Sequence, residues 1–487
     1  MPSRRTFLYG SLGVVAAGSL AVSLPGGGPQ TFFGGIPPQV DFAPPGAQLA
    51  PEVLRGELDW LVETLREVAA RPFLYTDRAA FDERHARTRA DIREPMDASR
   101  FYLAIAPLFA SLNDGHASIA PGRTLDNYID RGGVLFPLVP SFDGDRVFVG
   151  ASADARIPRG SEVLSIEGVN AREIVRDMLA VTGGQTMSLR RAFAAGHALE
   201  YLYARFGAKS AFAVSARLPD GARIAERVRS ANFETLQRAA VKADAGSAHP
   251  YAFRRIADGR VGVIDYNSCE DAPRFHAFLE ATFAQIKAHP VEGLIIDIRR
   301  NGGGDSSLNN DLWSYAQGKA FSQGGKISER ISSRIKREYG FAKYNGLYPL
   351  GWFLPNGMLF TFDATRFTTV NPGPNALRYH GPVYLLIGPG TFSSAQLCAL
   401  AAKDYGLATL VGEATGEPAN STGEVYVGYT PHTGVSFSFP TKYFWAPKPH
   451  PDGQGVLPDV TIVPTSDDRR AGRDPVFAYA VRRIIGA

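Results

Sequence analysis

The sequence has too few cysteines for cysteine-based structure. Only Cys269 and Cys398 occur among 487 residues, so neither a disulfide framework nor a thiolate metal site can be built from them. We expect each thiol to be a small buried hydrophobe. Histidines and carboxylates also lack ligand spacing, and the sequence therefore predicts no metal ion and no organic cofactor.

Blocks of basic residues and phosphate-binding loops are missing as well. The net charge is only +4, and no basic run or basic helix accompanies it, which argues against nucleic acid as a partner. The glycine run in IIDIRRNGGGD fits neither G-x-x-x-x-G-K-[ST] nor G-x-G-x-x-G, so we do not expect nucleotide binding. With 45% hydrophobic and 21% charged residues, the chain has the composition of a folded protein of several domains.

The N-terminus resembles an export signal. Arg4 and Arg5 precede a mildly apolar segment of roughly twenty residues, a pattern similar to a twin-arginine signal peptide over residues 1–30, with A-V-S at 21–23 as the cleavage site. We therefore expect an exported protein, periplasmic or secreted, whose net charge falls from +4 to +2 when both arginines are removed. The alternative is an uncleaved anchor that would keep the protein at the membrane, because about 18 apolar residues can just span a bilayer.

Three regions precede the predicted core. Residues 31–48 are rich in glycine and proline and form a linker. Residues 49–134, with stretches such as LRGELDWLVETLREVA, carry apolar residues at helical spacing and end near His116 in NDGHASI. Residues 135–240 contain short β runs around IPRGSEVLSIEGVNAREIV, a turn, strand, turn and helix that resemble a PDZ-like module, which holds extended peptides by strand addition.

From residue 246 to 465 the pattern becomes α/β. RVGVIDY and GLIIDI are typical of buried strands, and the helix between them predicts a parallel βαβ unit. VYLLI, a helix from Ser394 to about Tyr405 and ATLVGE repeat this pattern. An aromatic insertion at 338–380 either packs on the core surface or forms a flap over a substrate, and residues 466–487 form a C-terminal helix.

Two adjacent serines, Ser393 and Ser394, stand where the strand VYLLI gives way to a helix. The N-terminus of a helix offers unpaired N–H groups and the positive end of the helix dipole. The neighbouring strand GLIIDI ends in glycines 302–304, whose N–H groups can converge on an anion. Together the two strand ends predict a serine nucleophile and an oxyanion hole, whereas simple capping of the helix explains only one of the serines.

Three motifs resemble the C-terminal processing peptidases, which comprise the tail-specific and tricorn-core serine peptidases. GTFSSAQLCALAAKDYG resembles their nucleophile region, and GQGVLPDV at 453–460 resembles their terminal G-x-G-[VI]-x-P-D segment. The family motif D-x-R-x-N-x-G-G is matched by Asp297, Arg299, Asn301, Gly303 and Gly304. The resemblance covers about residues 50–465. It implies a crotonase-like α/β core and a serine-type peptidase, a hydrolase acting on peptides or proteins.

The resemblance also implies residue roles. It makes Ser393 the nucleophile, with Ser394 as runner-up, and it assigns the oxyanion hole to Gly302, Gly303 and the Ser394 amide. The tail-specific branch uses a lysine about 25 residues after the nucleophile, but that position is Pro418. Lys403 is ten residues along the helix, or roughly 15 Å away, so the sequence lacks a serine-lysine dyad.

The histidine-containing, tricorn-like branch offers another base. His116 in NDGH stands where that branch places its histidine, and neutral imidazole is suited to take a hydroxyl proton near neutral pH; His432 and His450 are the competitors. The same pattern assigns the orienting carboxylate to Asp452, with Asp114 and Asp459 as alternatives. We therefore expect a Ser-His-Asp peptidase. The alternative is a non-catalytic protein that binds an apolar ligand through the aromatic insertion.

Overall fold

The computed structural model describes residues 42–44, 46–243, 249–339 and 351–486. The predicted signal peptide and most of the linker lie outside the described residues, so both stay predictions. Within the described ranges, no helix is both long and apolar enough to cross a membrane.

The N-terminal region is helical, as its three- and four-residue spacing predicts. In the first helix, Leu54, Leu58, Leu61 and Leu65 form one buried stripe that packs in a common core with the third helix and with Phe439 of a later strand. The elements are α1 (Pro51–Val68), α2 (Arg78–Asp91), α3 (Ala98–Ala110), β1 (Ser118–Ala120) and α4 (Arg123–Asp130).

The second region has its own antiparallel sheet and its own core. The strand predicted at EVLSI is present at Glu162–Ile166. The sheet order is β3-β4-β5-β7-β8, with β6 paired to β5. The strands are β2 (Val134–Leu135), β3 (Leu138–Asp143), β4 (Arg146–Ser152), β5 (Glu162–Ile166), β6 (Val169–Asn170), β7 (Ala211–Arg217), β8 (Arg223–Arg229) and β9 (Ala231–Asn232). The helices are α5 (Ala171–Ala180), α6 (Met187–Gly196), α7 (Ala198–Phe206) and α8 (Phe233–Ala243).

The third region is built on a sheet of order β10-β11-β12-β17-β18-β21, in which only β10 is antiparallel to its neighbour. The predicted parallel βαβ pairing is thus confirmed. The strands are β10 (Tyr251–Ile256), β11 (Val261–Tyr266), β12 (Gly293–Asp297), β13 (Phe321–Ser322), β14 (Lys326–Arg330), β15 (Leu359–Asp363), β16 (Thr369–Val370), β17 (Val383–Ile387), β18 (Thr409–Gly412), β19 (Ser421–Tyr429), β20 (Ser436–Phe444) and β21 (Val460–Thr461).

The helices of this region and of the C-terminus cover the sheet. One face of the first of them is buried, at Phe275, Leu279, Thr282 and Ile286. Both cysteines are free and buried. The helices are α9 (Ala272–Ala288), α10 (Ser307–Ala316), α11 (Ser333–Tyr339), α12 (Thr365–Thr368), α13 (Ser394–Tyr405), α14 (Ser466–Ala471) and α15 (Pro475–Ile485). Gly406 ends α13 in the left-handed conformation, with φ 61°.

A further antiparallel sheet, of order β1-β20-β14-β15 with β19 on β20, joins the N-terminal region to the core. Because β1 pairs with β20 from Ser118 to Ala120, it brings the NDGH segment against the third region. The aromatic insertion contributes β15 to this sheet. Its described rings Trp352 and Phe360 pack on the helical core, and Phe362 packs on the core of the third region; Tyr344 and Tyr348 lie outside the described residues.

Candidate active site

Ser393 lies at the carboxyl edge of the parallel sheet, between β17 and α13. Strands β12 and β17 are hydrogen-bonded neighbours, so the loop after each strand emerges at the same edge. The backbone of Ser393 has φ 54° and ψ −123°, and its side chain does not cap α13. Holding a residue that has a Cβ atom in this sparsely populated backbone conformation costs free energy. Such backbone strain is concentrated at functional sites. Helix capping therefore does not explain Ser393.

His116 reaches Ser393 from the N-terminal region. Its Nε2 lies 3.2 Å from the Ser393 Oγ, although the two residues are 277 positions apart in the chain. The imidazole stacks on the ring of Phe392 with centroids 4.4 Å apart. Both Ser393 and His116 are buried, with exposed fractions of 9% and 3%. The structure thus brings the predicted nucleophile and the predicted base within hydrogen-bond distance.

The carboxylate at the other imidazole nitrogen belongs to Glu417. Its Oε1 lies 3.3 Å from His116 Nδ1, and neither atom has a hydrogen-bond partner among the described residues. Its Oε2 accepts the backbone N–H of Ser393 at 2.6 Å. One fully buried carboxylate therefore contacts both the Ser393 backbone and the His116 ring.

Asp452, the acid assigned from sequence, does not occupy that position and is exposed at the surface. The motif beside it has another place in the fold: Gly455 forms a bridge with Pro418, and the Val456 N–H donates to Thr415 Oγ1 at 2.8 Å. The segment that resembles G-x-G-[VI]-x-P-D thus supports the loop that carries Glu417. The backbone pairing between Pro418 and Gly455 is the physical reason why Glu417, and not Asp452, lies next to the imidazole.

Asp114 contacts the backbone of His116 but not its ring. Its Oδ1 accepts the His116 N–H at 2.9 Å and the Thr422 hydroxyl at 2.7 Å. Burial lowers the pKa of His116, but Glu417 and then Asp114 outweigh it, so the pKa is raised above the ordinary value of 6.5. Burial also raises the pKa of Asp114, against the opposing effects of His116 and Thr422.

The glycine loop after β12 lies against the nucleophile. A Cβ on Gly303 would lie 2.8 Å from both the Ser393 Cβ and the Ser394 nitrogen, and its φ is 103°, so only glycine fits without a shift. The Gly303 N–H, which was predicted to hold the oxyanion, donates instead to Asn301 Oδ1 at 2.8 Å. Gly302 is buried in the same loop. Ser394 is the first residue of α13, where an N–H has no partner within the helix.

The competing residues have other contacts. The Ser394 hydroxyl donates to the Gly304 carbonyl at 2.6 Å, and His450 Nε2 lies 2.8 Å from Asp404. His432 is exposed. Asp459 accepts from Lys403 and from the Leu410 N–H, so it supports the fold, as does the lysine. Among the described residues, no group of three or more potential ligands is placed to hold a metal ion.

Helix α6 of the second region covers Phe392, the residue before Ser393, but it does not line the cavity at Ser393 itself. Leu189 and Phe193 form a separate buried cluster with Phe392, the residue before the nucleophile, and Thr186 just before α6 donates to the Gly416 carbonyl at 2.9 Å. The cavity at Ser393 measures about 10 Å³, which is room for roughly one water molecule. At this size the cavity by itself does not hold a peptide.

Sequence reasoning missed Glu417 and this cover. The sequence does contain a signal for Glu417. The tail-specific branch places its lysine about 25 residues after the nucleophile, which is Pro418 here, and Glu417 is the residue just before it. A buried carboxylate near a buried histidine is an expected partner. No comparable local signal exists for α6, whose apolar residues are equally typical of an ordinary core.

Comparison with known proteins gives two kinds of match. Residues 260–462 match the family described as Peptidase family S41. Mature CPAF complexed with lactacystin aligns with a TM-score of 0.65 and 17% identity over 90% of this chain and 99% of that chain. Another structure of mature CPAF aligns with a TM-score of 0.61 and 18% identity over 89% and 96%. A search of curated protein sequences finds no significant match.

At this level of identity the CPAF structures show a shared fold, while the family match covers the segment that holds Ser393 and Glu417. Taken together with the site, the match of residues 260–462 to Peptidase family S41 supports a serine-type peptidase, which is a hydrolase, of the C-terminal processing type.

Proposed function

We propose that this protein cleaves peptide bonds with Ser393 as nucleophile, His116 as general base and acid, and Glu417 as the carboxylate that orients the histidine. The observation that carries the proposal is the chain of contacts from the Ser393 Oγ to His116 Nε2 at 3.2 Å and from His116 Nδ1 to Glu417 at 3.3 Å. This arrangement is a Ser-His-Glu variant of the expected Ser-His-Asp triad.

The first step is proton transfer. As the Ser393 Oγ attacks the scissile carbonyl carbon, its proton passes to His116 Nε2, and the carbonyl oxygen becomes an oxyanion. The imidazolium is then stabilised by Glu417, which is fully buried and so attracts it more strongly than it would in water. His116 next gives its proton to the leaving amine, and a water molecule, activated by the same histidine, releases the acyl group from Ser393.

The oxyanion requires donors that are fixed before the reaction. We assign the Ser394 N–H and the glycine loop at Gly302 and Gly303 to this role. Since the Gly303 N–H is donated to Asn301, the Ser394 N–H and the dipole of α13 supply the main stabilisation. Glu417 also holds the Ser393 N–H at 2.6 Å, which keeps that group aimed away from the oxyanion.

The surrounding architecture supports a processing peptidase. We propose that residues 246–465 form a crotonase-like core and residues 135–240 a PDZ-like module that presents an extended peptide, with the helical region 49–134 contributing His116. We further propose export by residues 1–30, so that the protein acts in the periplasm or outside the cell. Trp352, Phe360 and Phe362 of the insertion pack on the two cores, and the contacts among Ser393, His116 and Glu417 favour the peptidase over the alternative of an apolar-ligand carrier.

Labelling with a fluorophosphonate tests the proposal directly. We expect modification of Ser393, located by mass spectrometry, and loss of labelling in Ser393→Ala and His116→Ala. Ser394→Ala is the matched control, because its hydroxyl bonds the Gly304 carbonyl and we expect labelling to persist. A folded protein that is not labelled at Ser393 would refute the assignment.

A further inference from the structure

Arg71 lies over two aromatic rings near the catalytic centre. Its guanidinium carbon is 4.5 Å from the centroid of Tyr443 and 5.2 Å from that of Trp445. Arg146, Arg254 and Arg334 also lie over rings, and each has a carboxylate partner. Arg123 and Arg274 share with Arg71 a ring contact without a carboxylate at ion-pair distance among the described residues. Within the ranges that the structure describes, Arg71 has no carboxylate at ion-pair distance.

The segment that carries Arg71 is held in place by its backbone. The Ala70 N–H donates to the Pro440 carbonyl at 2.9 Å, and Arg330 donates to the carbonyls of Ala69 and Ala70 at 3.1 and 3.2 Å. Arg71 itself is partly exposed. A guanidinium that stacks on a ring is already ordered before a ligand arrives. It therefore loses less conformational entropy when it binds a planar anion.

Its two rings connect Arg71 to the catalytic residues. Tyr443 is paired across the sheet with Thr422, whose hydroxyl bonds Asp114, the residue that fixes the His116 backbone. Thr422 also lines the cavity at Ser393. Arg71 therefore packs against β20, which together with β19 lines the cavity at Ser393.

We infer that Arg71 forms a subsite for a carboxylate of the substrate, beside the bond that Ser393 attacks. Guanidinium binds carboxylate through two parallel hydrogen bonds, and the rings of Tyr443 and Trp445 leave its edge available for this contact. The carboxylate belongs either to an acidic side chain or to the terminus of the peptide. The inference rests on the proposed peptidase function, since it needs a peptide at Ser393.

Binding to the Ser393→Ala variant tests this without requiring turnover. Three dye-labelled peptide mixtures are compared by fluorescence anisotropy: one free of Asp and Glu with an amidated end, one identical but with a free terminal carboxylate, and one amidated but with a single Glu. We expect one of the acidic mixtures to bind about tenfold more tightly than the neutral one, as for hydrogen bonds to a charged group. Which of them gains identifies the source of the carboxylate.

Substitution of Arg71 assigns the preference. In Ser393→Ala with Arg71→Gln we expect the acidic and neutral mixtures to bind equally, and with Arg71→Lys we expect part of the preference to remain, because charge is kept and the planar fork is lost. Arg274→Gln is the matched control, since Arg274 is exposed and also lies over a ring, that of Tyr251. It should keep the full preference.

Equal binding of all three mixtures by Ser393→Ala, or a preference that survives Arg71→Gln, would overturn the inference. Fluorophosphonate labelling of Arg71→Gln with Ser393 intact shows that the variant is folded at the site. The same labelling reports on the proposed function separately. A protein that is labelled at Ser393 but shows no preference for carboxylates retains its peptidase assignment and loses the subsite.

Discussion

Replacing Glu417 by Gln decides which acid serves His116. Glutamine keeps the size of the side chain and an oxygen that can accept the Ser393 N–H, but it removes the charge that faces His116 Nδ1 at 3.3 Å. Two unit charges at that distance attract by about 5 kcal/mol at an effective dielectric constant of about 20. Desolvation of the buried pair cancels part of this attraction.

Each 1.4 kcal/mol corresponds to about a tenfold change in rate, so we expect Glu417→Gln to slow inactivation by a fluorophosphonate by about 10²- to 10⁴-fold. The assay is the second-order rate constant of inactivation, which needs no knowledge of the natural substrate. Asp452→Asn is the matched control, and because Asp452 is exposed we expect a change of less than about threefold.

The opposite result would refute this reasoning. If Glu417→Gln reacted at nearly the wild-type rate while Asp452→Asn lost about 100-fold or more, the acid of the family pattern would serve the histidine in the reacting enzyme. The assignment of Glu417 from its position at Nδ1 would then be wrong.

Three further predictions concern the same site. Because the pKa of His116 is raised above its ordinary value, the imidazole becomes neutral only at a higher pH than a free histidine does. The inactivation rate should therefore rise with a midpoint above 6.5, and a midpoint that Glu417→Gln fails to lower would contradict the electrostatic role of Glu417. Gly303→Ala should cut labelling by about 10²-fold or more, because its Cβ would lie 2.8 Å from the Ser393 Cβ; Gly144→Ala, at a φ of 65° with open space around it, should react normally. Phe193→Ala should react with a bulky fluorophosphonate about tenfold faster. Truncation of a buried Phe costs about 3–5 kcal/mol of packing free energy, and loss of about a third of that from the packing of α6 is enough for a tenfold change in the open population. An unchanged rate would show that α6 does not limit access.

Local sequence determined the secondary structure of the core and the position of Ser393, the proposed nucleophile, at the start of α13. Continuous apolar runs placed β11, β12 and β17, and the helix after Ser393 begins and ends where the pattern predicts, at Ser394 and Tyr405. These features depend only on residues that are close in sequence, because the apolar spacing typical of a strand or a helix repeats within a few residues. The resemblance of short motifs added His116, which the structure brings to Ser393.

Only the tertiary structure decided which acid meets the histidine. Glu417 reaches His116 because the loop before β19 is held by residues near Gly455, while Asp452, close to that motif in sequence, is left at the surface. The cover formed by Leu189, Phe193 and Phe392 likewise joins segments about 200 residues apart. Such contacts follow from the pairing of distant strands and the packing of separate cores, and a spacing along the chain does not encode the direction in which a side chain points.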